Sequence, residues 1–89
     1  MITDLKVNGL RSPQGVPAVS PVFSWEAEGE RQFTVQMSAE PGFREAVMYL
    51  DTRNPYCVYD GFPLKSGKTY YWRVRSGVGA WTESQFTTI

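Results

Sequence analysis

The sequence predicts an all-β fold, a sandwich of seven short strands, on three observations. Hydrophobic residues make up 42% and aromatic residues 15% of the 89 residues, and aromatic side chains suit the half-buried surface of a sheet. Turn dipeptides such as Asn8-Gly9, Pro41-Gly42 and Ser66-Gly67 recur along the chain. Between them apolar and polar residues alternate, as in strands with one buried face. The length fits one domain, residues 1–89.

The first half of the chain is predicted to hold three strands: Ile2–Val7, Val22–Glu26 and Arg31–Ala39. A connection containing proline and glycine separates the first two. Phe23 and Trp25 fall on one face of the second strand. The third strand alternates most strictly, between an apolar set (Phe33, Val35, Met37, Ala39) and a polar set (Gln32, Thr34, Gln36, Ser38). Because side chains alternate between the faces of a strand, the apolar set is expected to face the core and the polar set solvent.

The second half is predicted to hold four strands: Val47–Thr52, Tyr56–Asp60, Thr69–Gly77 and Thr82–Thr88. The first two are short and are expected near sheet edges. In the third, Tyr70, Trp72 and Val74 alternate as an inward set with Tyr71, Arg73 and Arg75 as an outward set. Phe86 is the inward anchor of the last strand. Phe43–Ala46 could form a helical turn, too short to change the fold class.

Charge and cysteine content exclude several classes of protein. Nine basic and nine acidic residues cancel, whereas nucleic-acid-binding domains carry a basic excess or stripe. No apolar run approaches the length of a membrane span, and the first residues lack a signal peptide's apolar stretch. We therefore expect neither a nucleic-acid nor a membrane partner, and the compartment stays open. Cys57 is the single cysteine, so no internal disulfide forms, and its β-type surroundings predict a core position.

The residues offer no catalytic, metal or cofactor site. The chain contains no histidine, the commonest general base and a frequent metal ligand. Carboxylates that could act in glycoside hydrolysis are available (Glu26, Glu28, Glu30, Asp51, Asp60, Glu83), but a small filled sandwich rarely provides the cleft that raises one carboxyl's pKa. The run Ser66–Thr69 resembles the end of a phosphate-binding loop, but a strand rather than a helix follows it.

The segment from Leu64 to Tyr70, continued by Tyr-Trp72-Arg-Val, resembles the tyrosine corner of fibronectin type III domains. In that family a leucine lies six residues before the tyrosine that opens the penultimate strand, and the tyrosine hydroxyl turns back onto upstream backbone. Because a buried phenol must find a hydrogen-bond acceptor, the corner is expected to supply one. Trp25 resembles the buried tryptophan of the family's second strand. The resemblance implies a fibronectin type III or immunoglobulin-like sandwich in which Tyr70, Leu64, Trp25 and Trp72 have structural roles.

Several short sequence segments, taken together, are similar to the small N-terminal fibronectin III-like domain of bacterial α-L-rhamnosidases of glycoside hydrolase family 78. They are Ile2–Leu10, Ser12-Pro-Gln-Gly, Pro21–Trp25, Arg31-Gln32, Tyr59–Gly61, Pro63-Leu64, Tyr70–Val74, Trp81-Thr-Glu and Phe86-Thr, and they cover nearly the whole chain. In that family hydrolysis belongs to a separate, larger barrel domain, to which nothing here corresponds. The resemblance implies a monomeric accessory module of a carbohydrate-active enzyme, whose partners are neighbouring domains.

A candidate contact surface follows from the outward set. Tyr71, Arg73 and Arg75 share one sheet face, on which we expect them beside Thr34, Gln36 and Glu83 across the sheet. Trp81 lies five positions before Phe86, which places it on the same wet side. Trp81 is expected either to tuck over the end of the core or to be exposed as a platform for sugar rings. The alternative function is therefore a carbohydrate-binding or adhesive protein-interaction module. The simpler interpretation is an ordinary polar sheet face with weak surface ion pairs between the arginines and Glu83.

Overall fold

The computed structural model describes all 89 residues and contains eight β-strands and no α-helix. The strands are β1 Ile2–Val7, β2 Gln14–Val16, β3 Val22–Ala27, β4 Phe33–Ser38, β5 Ala46–Thr52, β6 Tyr56–Val58, β7 Thr69–Arg75 and β8 Thr82–Thr88. The all-β prediction is confirmed, and the boundaries of the predicted strands differ by at most two residues at either end. No helix that could cross a membrane is present.

The strands form two sheets, a small one of order β1-β3-β6 and a large one of order β2-β8-β7-β4-β5. All neighbours pair antiparallel except β2 and β8, which pair parallel. β5 and β6 each form an outer edge of their sheet, as their short patterns predicted. Because each sheet has one apolar face, the two faces pack together and enclose a single core.

The prediction of seven strands is wrong by one. The additional strand, β2, lies in the proline- and glycine-containing connection before Pro21 and pairs with the end of β8. It has only three residues, its register shifts between Gln14 and Val16, and Gly15 adopts a φ of 87°. No alternation can be recognised over so short a segment. Its turn residues therefore predicted a connection, although it forms a strand at the edge of the large sheet.

Aromatic side chains from both sheets fill the core. The ring centroids of Phe23 and Trp72 lie 4.8 Å apart, and those of Trp25 and Phe33 lie 5.4 Å apart. Phe86 contacts Phe23 edge-on at 5.7 Å. Such tilted and edge-on arrangements suit the ring quadrupoles and contribute beyond the buried area. The predicted inward positions of these strands are thus the positions that meet in the core.

Cys57 lies in the same core and is 7% exposed, as its surroundings predicted. Burial raises the pKa of its thiol to about 11, because the apolar surroundings disfavour the thiolate. The thiol is therefore protonated and unreactive at neutral pH.

Two local predictions are wrong. Ser38 was assigned to the solvated face of its strand, but it is fully buried because the β4–β5 connection covers it. Its hydroxyl donates to the Glu45 carbonyl oxygen at 3.1 Å and accepts from the Glu40 N–H at 3.2 Å. The helical turn at Phe43–Ala46 does not form, since Phe43 adopts a left-handed φ of 54° and Ala46 already begins β5.

Candidate functional site

The outer face of the large sheet carries the candidate contact surface. Register places Tyr49, Gln36, Arg73 and Glu83 in one row across β5, β4, β7 and β8. Tyr71 and Arg75 lie on either side of Arg73 along β7, and all three side chains are half-buried. The alternation of β7 therefore positions the outward set on one continuous surface.

Phe43, Arg73, Trp81 and Arg75 form a cation–π ladder on this face. The guanidinium carbon of Arg73 lies 4.2 Å from the Phe43 ring centroid and 4.1 Å from the Trp81 ring centroid. That of Arg75 lies 4.3 Å from the Trp81 ring centroid. Side chains two residues apart on a strand point to the same face and are separated by roughly 6.7 Å, so one indole can contact both guanidinium groups. Each such contact is attractive because the ring face is negative.

Hydrogen bonding fixes one guanidinium further and leaves the other without a polar partner. The Arg73 Nε donates to the Gln36 side-chain oxygen at 2.8 Å. The Arg75 Nε is buried and has no hydrogen-bond partner. Neither arginine forms an ion pair, so the pairing with Glu83 that the sequence suggested does not occur. The ladder is held by ring contacts rather than by carboxylates.

Trp81 takes neither of the two positions expected for it. It is half-buried on the outer face, not over the end of the core, and two guanidinium groups approach its ring within 4.3 Å. A sugar ring stacks on an aromatic ring only where a ring face is free. The indole is therefore engaged by the protein itself, which argues against a role for Trp81 as a sugar platform.

The tyrosine corner lies at the start of β7. Tyr70 is 4% exposed, and its ring stacks on Phe86 with centroids 5.7 Å apart. Its hydroxyl accepts a hydrogen bond of 2.9 Å from the Lys65 backbone N–H. The hydroxyl was expected to find an acceptor on upstream backbone, whereas in the structure it is itself the acceptor of this backbone hydrogen bond. Leu64 is also buried, and its N–H donates to the Ala18 carbonyl oxygen at 2.9 Å, which joins two loops.

The acidic side chains with altered pKa are Asp4 and Glu30. Burial acts to raise the pKa of Asp4, but the hydrogen bond and charge of Arg11, aided by Lys6, outweigh it and lower the pKa. A hydrogen bond from the N-terminal ammonium lowers the pKa of Glu30. A general acid needs the opposite shift, so neither carboxyl is prepared for acid catalysis.

Sequence reasoning missed one member of the cation–π ladder, Phe43. Phe43 lies outside any strand and was assigned to a helical turn, so nothing in its spacing indicated that it would cover Arg73. Gln36 was expected beside the outward arginines across the sheet, and the structure places it there, paired with Arg73.

The fold is that of an immunoglobulin-like β-sandwich domain. It has two packed, mostly antiparallel sheets, a buried tryptophan on β3 and a tyrosine corner. More narrowly, the chain belongs to the family described as the Rha78A-like, N-terminal immunoglobulin domain, whose model matches residues 2–88. This match confirms the resemblance to the opening domain of α-L-rhamnosidases.

A solved structure supports the same fold. The α-L-rhamnosidase from Dictyoglumus thermophilum superimposes with a TM-score of 0.77 at 22% sequence identity. The alignment covers 98% of this chain and 12% of that enzyme's chain. This chain therefore corresponds to a small part of the enzyme it resembles. No curated protein matches the chain at a significant level.

Proposed function

We propose that this domain is a non-catalytic accessory module of a larger α-L-rhamnosidase, in which it spaces or buttresses the catalytic region. The observation that carries the proposal is the family match over residues 2–88, since the family is described as an N-terminal domain. The structural alignment, which covers 12% of an α-L-rhamnosidase, is consistent with one module among several. Domain–domain contacts on the order of 600–1,500 Å² would then be its main interactions.

The chemistry of the chain supports a structural role. It contains no histidine, and its altered carboxyls are shifted towards the charged form. Most of its aromatic side chains pack in the core or in the cation–π ladder, whereas Tyr49, Tyr56 and Phe62 are exposed. A fold whose side chains contact one another in this way suits a rigid spacer.

Two measurements test the proposal. The coding sequence around residues 1–89 should encode a catalytic domain in the same reading frame. The 89-residue chain should release no product from an aryl α-L-rhamnoside, whereas the complete gene product should hydrolyse it. Hydrolysis by the 89 residues alone would overturn the proposal, and a reading frame of further sandwiches without a catalytic domain would favour adhesion.

The alternative of a carbohydrate-binding module rests on one observation. Arg73 and Arg75 lie on an outer face beside Tyr71 and are free of ion pairs, so their remaining N–H groups could donate to sugar hydroxyls. Calorimetric titration of the chain with rhamnose-containing glycans tests it. Heat that disappears in an Arg75→Ala variant would support sugar binding, and no heat at millimolar sugar would count against it.

A further inference from the structure

One end of the sandwich exposes a group of large apolar side chains, here called the end patch: Val19, Val22, Val58 and Phe62. Their exposed fractions are 65%, 39%, 48% and 89%, respectively. Val22 and Val58 are direct cross-strand partners on β3 and β6. Exposed apolar residues that stand alone are ordinary on a protein surface, whereas a cluster marks a contact site.

Backbone hydrogen bonds hold the segments of the end patch together. The Leu64 N–H donates to the Ala18 carbonyl oxygen at 2.9 Å, and the Tyr59 N–H donates to the Pro21 carbonyl oxygen at 3.0 Å. The loop that carries Val19 therefore lies beside the loop that carries Phe62. Both loops adjoin the paired valines, so the four side chains belong to one end of the molecule.

The loop that carries Phe62 is fixed in position. The hydroxyl of the buried Tyr59 donates to the Phe62 carbonyl oxygen at 2.7 Å. Gly61 packs so closely on the same ring that an added Cβ would lie 2.6 Å from the Tyr59 hydroxyl oxygen. Phe62 is thus an exposed aromatic side chain on a backbone that needs no reorganisation on binding. Preorganised aromatic side chains of this kind are typical anchors of protein interfaces.

The end patch lies where the chain leaves the domain. β8 ends at Thr88, and the Ile89 carbonyl oxygen accepts a 2.8 Å hydrogen bond from the Gly67 N–H, on the loop that also carries Phe62. The rest of a protein that begins with an N-terminal domain follows that domain's last strand. We propose that Phe62, with Val19, Val22 and Val58, packs into an apolar surface of the domain that follows β8 in the parent enzyme.

This inference rests on the proposed function and adds to it the surface through which the module contacts its neighbour. Burial of Phe62 alone would remove roughly 150–250 Å² from solvent, a sizeable share of an interdomain contact of about 600–1,500 Å². The opposite end of the sandwich differs. There Val78 is 96% exposed, but it stands in a turn between Gly77 and Gly79. It is a lone apolar side chain at the far end of β7 and β8.

The experiment compares thiol labelling of two matched variants, Val19→Cys and Val78→Cys. Each is labelled with a maleimide in the 89-residue chain and in the complete gene product. Cys57 gives little background, because it is buried and its thiol pKa is about 11. We expect residue 19 to react at least tenfold more slowly in the complete protein than in the chain, and residue 78 to react equally in both. Adding Phe62→Asp to the Val19→Cys variant should restore fast labelling in the complete protein.

The outcomes separate this inference from the proposed function. Equal labelling of residue 19 in both proteins, with slower labelling of a Gln85→Cys variant on the outer face of the large sheet, would show that the module docks through another surface and would overturn the inference alone. Equal labelling at all three positions would show that neither end of the sandwich nor the outer face of the large sheet is covered, which would overturn the inference and count against the buttressing role as well. Protection of residue 19 that persists in the Phe62→Asp variant would contradict the role of Phe62 as the anchor.

Discussion

β7 presents two faces that are both rich in aromatic contacts but differ in what those contacts do. On the inner face Tyr70, Trp72 and Val74 are at most 4% exposed, and Trp72 packs against the Phe23 and Trp25 rings of the other sheet. On the outer face Arg73 and Arg75 contact the Trp81 ring. The inner contacts exclude water from a shared core, whereas the outer ones hold two cations and a ring at the surface of one sheet.

The difference shows how an aromatic side chain on a polar sheet face should be interpreted. Trp81 resembles a ligand platform as long as only its position on the wet face is known. The structure shows its ring next to two guanidinium groups. Trp81 is therefore better explained as the side chain that orders two long, flexible arginine side chains. The binding of a partner by this face would then depend on the arginines rather than on the indole.

The largest expected effect is on the inner face. Trp72→Ala should lower the free energy of unfolding by about 3–5 kcal/mol, because it leaves a cavity against Phe23 and Trp25. Chemical denaturation followed by circular dichroism measures it. Trp25→Ala should have a similar effect. If either alanine variant fails to fold, the corresponding phenylalanine variant replaces it, and it should lower the free energy of unfolding by less than alanine does. A loss below about 1 kcal/mol for Trp72→Ala would contradict its central place in the core.

The next largest effect on stability is expected at one of two adjacent tyrosines, which lie on opposite faces of β7. Tyr70→Phe removes the acceptor of the Lys65 N–H and should lower the free energy of unfolding by about 1–3 kcal/mol. Tyr71→Phe is the matched control, because that side chain lies half-buried on the outer face, and it should change stability by less than about 0.5 kcal/mol. Urea denaturation of both variants tests the comparison. Equal stability of the two would refute the corner assignment.

How far the sequence predicts the fold depends on the length of the pattern. β4 and β7 alternate over six and seven residues, so their faces and most of their buried residues can be predicted from a period of two. β2 has three residues among turn signals and leaves no period to recognise. Ser38 obeys the alternation but is buried by a connection that comes from outside its strand, and strand periodicity contains no information about such a cover.

The same limit applies to the candidate surface. Alternation is enough to place Tyr71, Arg73 and Arg75 on one face, because all three belong to one strand. The contacts that make Arg73 and Arg75 part of a ladder come from Phe43 and Trp81, in two separate loops. Their positions depend on a left-handed backbone at Phe43 and on the β7–β8 connection, neither of which a strand pattern specifies. The end patch likewise depends on which loops are hydrogen-bonded to each other.

On the outer face, Trp81→Leu should lower the free energy of unfolding by about 1–2 kcal/mol. Leucine retains apolar area but has no ring to attract the two guanidinium groups, each contact of which contributes on the order of 0.5–1 kcal/mol at a partly exposed site. Trp81→Phe keeps a ring and should recover part of the loss. Thermal denaturation of the three proteins measures the order. If leucine were as stable as tryptophan, Trp81 would contribute through its apolar area alone.

The smallest expected effect on stability comes from the removal of a single contact of the ladder. Arg75→Met keeps an apolar stem but removes the cation, and it should lower stability by about 0.5–1 kcal/mol. A double-mutant cycle with Trp81→Leu separates the pairwise attraction from the other consequences of each change. The coupling free energy should be about 0.5–1 kcal/mol, because the guanidinium carbon lies 4.3 Å from the ring centroid. A coupling near zero would mean that the two side chains are merely neighbours. The outer face would then be an ordinary polar surface, and only the inner face of β7 would contribute to stability through its aromatic contacts.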